Sequence, residues 1–391
     1  MYLTHLLMQN VRTYRELKIN FNPGVYIFIG KNASGKSNLL DAISQLATTK
    51  SHRHAKEIEI LSWDAFEEEE FPTARIFAEV EGLKFSVNLE IAISSTKHRN
   101  SLEWQSSRRF RVNGINRRAS DFVGHLRVVM FSVDDLTIIT GSPADRRRYL
   151  DITISQFNRE YVRALQRYNR ILVQRNNLLR NIRDRRGSVD ELDFWDQEMA
   201  EIGAVILLER QVVLDKLANG AERHYSELGD EDKNFSIGYL PGLPIKFDKE
   251  METFDLASEM HKIILEGRQG DLLRGSSRFG PHRDDVNFLI DGKSAASAAS
   301  RGEQRTAVLA LRLSEVNLST EITSDPPVLL LDDILSELDS NHRDKVINMS
   351  YQVDQVFITV PDENIVQEQF LPTASKYEVT NGGVKTLRVE N

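Results

Sequence analysis

The stretch GVYIFIGKNASGKSNLLDAISQLA, residues 24–47, joins three kinds of local order. Val25 to Ile29 is a short apolar run between glycines, which reads as a buried strand, while Leu39, Leu40, Ile43 and Leu46 recur at helical spacing. Between them, Gly30-Lys31-Asn32-Ala33-Ser34-Gly35-Lys36-Ser37 fits the pattern G-x-x-x-x-G-K-[ST] in the order strand, loop, helix. Gly30 and Gly35 permit torsions and close approaches that a Cβ forbids. Successive N–H groups and the first helical turn can therefore surround a polyphosphate, which makes Gly30 to Asn38 the candidate nucleotide-binding residues. Lys36 would neutralise the β and γ phosphates, and the Ser37 hydroxyl would bind magnesium.

Two later segments fit the same chemistry. PPVLLLDD, residues 326–333, is a second apolar strand, and it delivers Asp332 to the sheet edge as a magnesium carboxylate, with Asp333 placed to orient water. The plainer reading is a buried strand ending in a polar turn. SAASRGEQRTAVLALRLSEV, residues 297–316, turns from small residues into a long apolar helix. Ser300 and Gly302 stand where first-turn N–H groups lack partners, so this helix start is either a second anion site or a simple cap assisted by Glu303.

Composition sets the outer limits. The chain has 391 residues, 40% of them hydrophobic and 28% charged, with no cysteine and nine histidines. That is a globular composition, excludes disulfides and thiol chemistry, and contains no run long enough to span a bilayer. Residues 1–9 show neither a basic leader nor a cleavage pattern, so a cytoplasmic location is expected. Net charge is −8, yet basic residues cluster: seven Lys/Arg against one acid from Lys97 to Arg118, and twelve Arg against four acids from Pro143 to Arg186. Such clusters are either footprints of phosphate-backbone contact or solvated faces.

From Thr73 to Val129 the sequence alternates and turns, with Asn113-Gly114 as a hairpin turn. Tyr161, Leu165, Tyr168, Leu172, Leu179 and Ile182 then mark an amphipathic helix over 159–184, with Arg175 interrupting the stripe. Ser188 and Glu191 form a capping-box pattern, and Leu192, Trp195, Met199, Ile202 and Ile206 carry a second helix to about 217. The two segments read as an antiparallel hairpin. DDVNFLIDGKS reads as a strand entering an Asp-Gly turn, and QVFIT as another buried strand.

The ordered set of phosphate loop, SRGEQ, VLLLDD and SELD (336–339) resembles the ATPase heads of the ABC superfamily, in their DNA-repair branch with the SMC-like proteins. The segments NVRTYRELKINFNPGVYIFIGKNASGKSNLLDAI, TTKSHR, ISQFNREYVRALQRYNRILVQRNNLL, GPHRDDVNFLIDGK and SRGEQRTAVLALRL are similar to the RecF family of bacterial recombination mediators. The resemblance implies an α/β fold: an ABC-type P-loop ATPase head, two-lobed, with a mixed sheet around the phosphate-loop helix. A core lobe would comprise residues 1–130 and 320–391, and a mainly helical lobe residues 131–319.

It also implies function. ATP and Mg2+ are the expected cofactors, and Ser300 and Gly302 would cap ATP held by the other subunit of an ATP-dependent homodimer. Lys36, Asp332 and Asp333 would be catalytic, and Arg12 and Tyr14 would lie near the adenine. The dimer would bind duplex DNA near single-strand gaps and act with RecO and RecR to place RecA. Lys50 and Arg53 would lie near phosphates or DNA. Arg108, Arg109, Arg111, Arg146, Arg147, Arg163, Arg167 and Arg170 are the candidates for backbone phosphate contact.

Several positions depart from the wider ABC pattern. Arg301 and Glu303 stand where Gly and Gln are usual, and Asp333 replaces the usual Glu, which implies slow hydrolysis suited to a switch. ITVPDE has no switch His and VVMFSVDDL no Q-loop Gln, leaving Asp134 or Thr359 to sense the γ phosphate. Competing readings are another SMC-like repair ATPase, a transporter ATPase subunit, a DNA-binding scaffold with a decayed nucleotide site, and a small-molecule kinase.

Overall fold

Four near-continuous apolar runs, GVYIFI, VVMFS, VLLLD and QVFITV, form strands Gly24–Ile29, Val128–Ser132, Val328–Asp332 and Gln355–Val360 of one sheet. Lacking alternation, such runs suit a parallel sheet covered on both faces. The order across the sheet is Gly383–Leu387, Ser375–Thr380, Gly24–Ile29, Gln355–Val360, Val328–Asp332, Val128–Ser132, and every pair is parallel except the first. A second, antiparallel sheet runs Tyr14–Asn20, Tyr2–Val11, Thr73–Gly82, Phe85–Lys97, Trp104–Val112, Ile115–Arg117. Its strands alternate: Ala74, Ile76, Ala78 and Val80 are buried, whereas Thr73 and Glu79 are exposed. Asn113 and Gly114 make the expected turn, with φ of 51° and 76°.

The computed structural model describes residues 1–52, 56–97, 104–229, 233–245, 250–362 and 374–387. The chain divides into two compact units, Met1–Asp135 with Glu315–Asn391, and Leu136–Ser314. In the first, the phosphate-loop helix Lys36–Thr48 contacts strands of both sheets. Leu39, Leu40, Ile43 and Leu46 are fully buried there, in one core with Ile76, Ile91, Val328 and Phe357. Burying each such side chain contributes about 1.5–3 kcal/mol, which fixes the helix, and hence the loop before it, to the parallel sheet.

The second unit carries helices Pro143–Ser155, Arg159–Arg183, Leu192–Leu228 and Thr253–Arg274 beside a small sheet ordered Lys293–Ser294, Asp285–Ile290, Phe235–Leu240. The Ser188/Glu191 capping box is present. The helix after it continues to Leu228 instead of stopping near 217, because Ala221, Tyr225 and Leu228 extend the buried stripe beyond Leu217. Gly220 does not break it: a Cβ there would meet Ser314 Oγ at 2.3 Å, so the glycine admits a close neighbour.

Arg175, the interruption in the first stripe, is fully buried. It donates to Asp196 at 2.6 Å and to Asp271 and Ser277 at 2.8 Å, so the polar position in the stripe serves an internal ion network. A second network centres on buried Arg210, which meets Asp151 at 2.7 Å and Asp284 at 2.5 Å. Among the described residues, no helix is long and apolar enough to cross a membrane.

Candidate functional site

The C-terminal edge of a parallel sheet is where open α/β folds place their sites, and the phosphate loop leaves the sheet at that edge. Gly35, the residue before the helix, has φ of 112°, and a Cβ there would lie 2.8 Å from Thr13 Oγ1. At Gly30 a Cβ would lie 2.4 Å from the Val379 carbonyl. Both glycines are thus required by torsion or space. The loop is braced from two sides: Tyr14 O–H donates to the Gly35 carbonyl at 3.0 Å, and Gly382 N–H to the Ser34 carbonyl at 3.3 Å. Burial raises the Tyr14 pKa well above the usual phenol value, so this donor keeps its proton.

Inside the loop, Lys31 and Asn32 are exposed, Ala33 is in the left-handed region at φ 66°, and the Ser34 hydroxyl is buried without a partner. Asn38 donates to Thr13 Oγ1 at 3.3 Å. Lys36 is 3% exposed, and its ammonium donates to the carbonyls of Gly30 at 2.7 Å and Lys31 at 3.3 Å. First-turn N–H groups have no intrahelical acceptor, so loop and helix start together present converging donors and one ammonium. That donor set fits a polyphosphate.

The second strand completes the arrangement. Ser37 O–H donates to Asp332 Oδ1 at 2.8 Å, across 295 residues of sequence. Thr359, opposite Asp332 in the neighbouring strand, donates to the same oxygen at 2.8 Å and accepts from the Asp333 N–H at 2.9 Å. Asp333 has φ of 52°, and its Oδ1 is buried with no hydrogen-bond donor. Thr359 is one of the two candidates for sensing the γ phosphate. Asp134, the other, is exposed.

Other expected residues fall elsewhere. Arg12 lies in the first hairpin turn at φ 54°, with its Nε buried and unpartnered. Lys50 is exposed just beyond the helix, and Arg53 lies outside the described residues. In the second unit, Ser300 and Glu303 form a reciprocal cap: Ser300 N–H donates to Glu303 Oε2 at 2.7 Å, and Glu303 N–H to Ser300 Oγ at 3.3 Å. Lys233 adds a bond of 2.6 Å to Glu303, and with Ser300 it holds the carboxyl pKa down at about 2. Gly302 is exposed, and a Cβ there would meet nothing closer than Ser300 Oγ at 3.9 Å. Arg301 is exposed.

The arginine candidates separate into two groups. Arg109, Arg163, Arg167 and Arg170 are exposed, Arg167 with Glu198 at 2.5 Å. Arg108 points inward and donates to the Thr49 carbonyl at 2.6 Å, with Glu57 at 3.3 Å. Arg146 is likewise committed, to Asp285 at 2.6 and 3.0 Å, and Arg147 donates to the Asp284 carbonyl at 2.6 Å. Arg111 is half-buried and bonded to Glu90 at 2.8 Å. Strand parity carries the missing signal for Arg108, since it shares a face with the core residues Phe110 and Val112. His52, within TTKSHR, has no local pattern that marks it; its ring lies 3.0 Å from Ser132 Oγ, and Ser132 is the other strand neighbour of Asp332.

Comparison with known proteins accords with this geometry. The family model described as RecF/RecN/SMC N terminal domain matches residues 2–384. A DNA replication and repair protein RecF from Herpetosiphon aurantiacus is 39% identical over 389 residues, covering 98% of this chain and 99% of that protein. One from Chloroflexus aurantiacus is 38% identical with the same coverage. The solved structure of the recombination mediator protein RecF with ATP superposes with a TM-score of 0.87 at 31% identity, covering 99% of this chain and 98% of that one. An Smc head domain from Pyrococcus furiosus shares the fold at 15% identity and a TM-score of 0.52. The chain belongs to the RecF family of ABC-type ATPases.

Proposed function

We propose that this chain is an ATP-dependent DNA-binding protein that dimerises on duplex DNA near single-strand gaps, helps RecO and RecR load RecA there, and leaves on slow ATP hydrolysis. The relatives' name, DNA replication and repair protein, supports the repair setting, as does the description of the solved RecF as a mediator in the RecFOR pathway. The observation that carries the nucleotide chemistry is the 2.8 Å bond between Ser37 and Asp332.

These two oxygens are hard donors of the kind magnesium takes. Among the described residues no group of three or more His, Asp or Glu is placed to hold a metal ion, so phosphate and water would fill the remaining positions. Bound magnesium supplies charge neutralisation at the phosphate oxygens. The loop N–H groups and Lys36 hold and orient the polyphosphate. Thr359 fixes Asp332 and the backbone of Asp333 together, and Asp333 Oδ1, lacking a donor, accepts from the attacking water. Its side chain is one methylene shorter than Glu, which supports slow turnover.

Gly302 supports capping in trans. Among the described residues of its own chain nothing lies near enough to require glycine there, whereas a phosphate arriving from a partner subunit would. Exposed Arg109, Arg163, Arg167 and Arg170 remain the candidates for DNA phosphates. Sedimentation velocity with a labelled gapped duplex, under no nucleotide, ADP or ATP, tests the whole reading. A DNA-bound dimer should appear with ATP alone and vanish in Ser300→Arg; ATP-indifferent binding would overturn it.

A further inference from the structure

A chain of contacts that the nucleotide chemistry above does not use ties the phosphate-loop helix to the far edge of the parallel sheet. Asp41, 2% exposed on that helix, accepts from Ser51 Oγ at 3.0 and 2.9 Å and from the His52 N–H at 2.8 Å. These bonds fix the turn after the helix. The turn aims the His52 ring so that Nε2 lies 3.0 Å from Ser132 Oγ and 3.7 Å from Asp135 Oδ1. Ser132 ends the strand beside Asp332 and pairs with it in register. Its N–H donates to Asp135 Oδ2 at 2.9 Å, and Asp135 is the last residue before the chain enters the second unit.

Burying polar groups is costly unless they are hydrogen-bonded, and buried Asp41, Ser51, Ser132 and Asp135 are each bonded within this chain of contacts. Asp332 has two hydroxyl residues opposite it in register, and they are used differently: Thr359 bonds the carboxylate directly, while Ser132 is bonded to His52. We propose that His52 is a positioning residue for nucleotide hydrolysis, holding the strand end Ser132–Asp135 beside Asp332 and coupling it through Asp41 to the phosphate-loop helix. The inference rests on the nucleotide reading above. Any shift of that helix carries the Asp41–His52 bond with it, and so reaches the segment that leads into the second unit.

The test is ATP turnover and binding of a fluorescent ATP analogue by the full chain, in His52→Ala, His52→Gln, Ser132→Ala and the double alanine variant. We expect Kd within about twofold of the starting protein and kcat at least about tenfold lower in each single alanine variant. The double variant should be no worse than either single one, the signature of a shared contact. Glutamine keeps a donor near the place of Nε2 and should recover kcat to within about threefold. Unchanged kcat in His52→Ala overturns the proposal, as does joint loss of binding and turnover without rescue by glutamine, which is a packing role. If the histidine variants do not fold, unchanged kcat in Ser132→Ala overturns it alone. A starting protein that neither binds nor hydrolyses ATP overturns the nucleotide reading and this inference together.

Discussion

Ser37 and Asp332 share a 2.8 Å hydrogen bond although 295 residues separate them. The contact exists because two parallel strands end side by side at one sheet edge, the first leading into the phosphate loop and the second into Asp332. Asp332→Asn keeps the shape and an acceptor for Ser37 and Thr359 while removing the charge. Its turnover should fall on the order of a hundredfold, with folding retained. Steady-state hydrolysis across a magnesium titration checks this, and an Asn variant that still turns over normally would remove Asp332 from the metal site.

Gly302 separates a cap from a trans contact. A valine there has open space within its own chain, so the melting temperature should move by no more than about 2 °C. The ATP-dependent dimer should nonetheless disappear, because the added side chain stands where a partner's phosphate would approach. Differential scanning fluorimetry and sedimentation velocity on the same preparation measure the two effects. Dimerisation by Gly302→Val at the normal ATP concentration would restore the simple-cap reading of SRGEQ.

What could be read from the sequence was what local pattern encodes. The phosphate loop, the VLLLDD strand and the Asn113-Gly114 turn each carry their geometry in a few adjacent residues, and the structure shows those elements there. The contacts that complete the site join distant segments. Gly382 braces Ser34, Thr359 bonds Asp332 and His52 reaches Ser132, and none of these pairs has a spacing that announces it. Counting arginines also conflated two roles. Arg108 turns inward, half-buried, into an ion pair whereas Arg109, one residue on, faces solvent, and only strand parity distinguishes them.

The buried Arg175 network should matter more than any surface pair. Arg175→Leu removes one of the cations paired with buried Asp196 and Asp271, which keep Arg268 and Arg278, so the loss in unfolding free energy should be about 3 kcal/mol, the low end for breaking a buried pair. Arg167→Ala removes an equally short pair with Glu198, but that arginine is more than half exposed and the change should stay within about 1 kcal/mol. Urea unfolding of both variants sets the two on one scale. Equal losses would mean that burial does not govern these pairs.

His282 gives a pH dependence with a definite sign. Its Nε2 lies 3.1 Å from the Ser277 carbonyl, which can only accept, so Nε2 carries the proton and Nδ1 accepts from Tyr168 O–H at 2.8 Å. Burial, with Arg283, Arg147 and Arg175 nearby, lowers the ring pKa from 6.5 to about 4, while the Ser277 bond opposes the shift. The folded state therefore keeps a neutral imidazole where the unfolded chain binds a proton. The resulting stability is fully present above pH 6.5 and is lost as pH falls towards 4, a contribution on the order of 3 kcal/mol. His282→Gln removes the titration but keeps polar atoms. Unfolding free energies measured by urea from pH 7.5 to 4.5 should fall more steeply in the starting protein than in the variant. Parallel slopes would show that the imidazole is already solvated in the folded state.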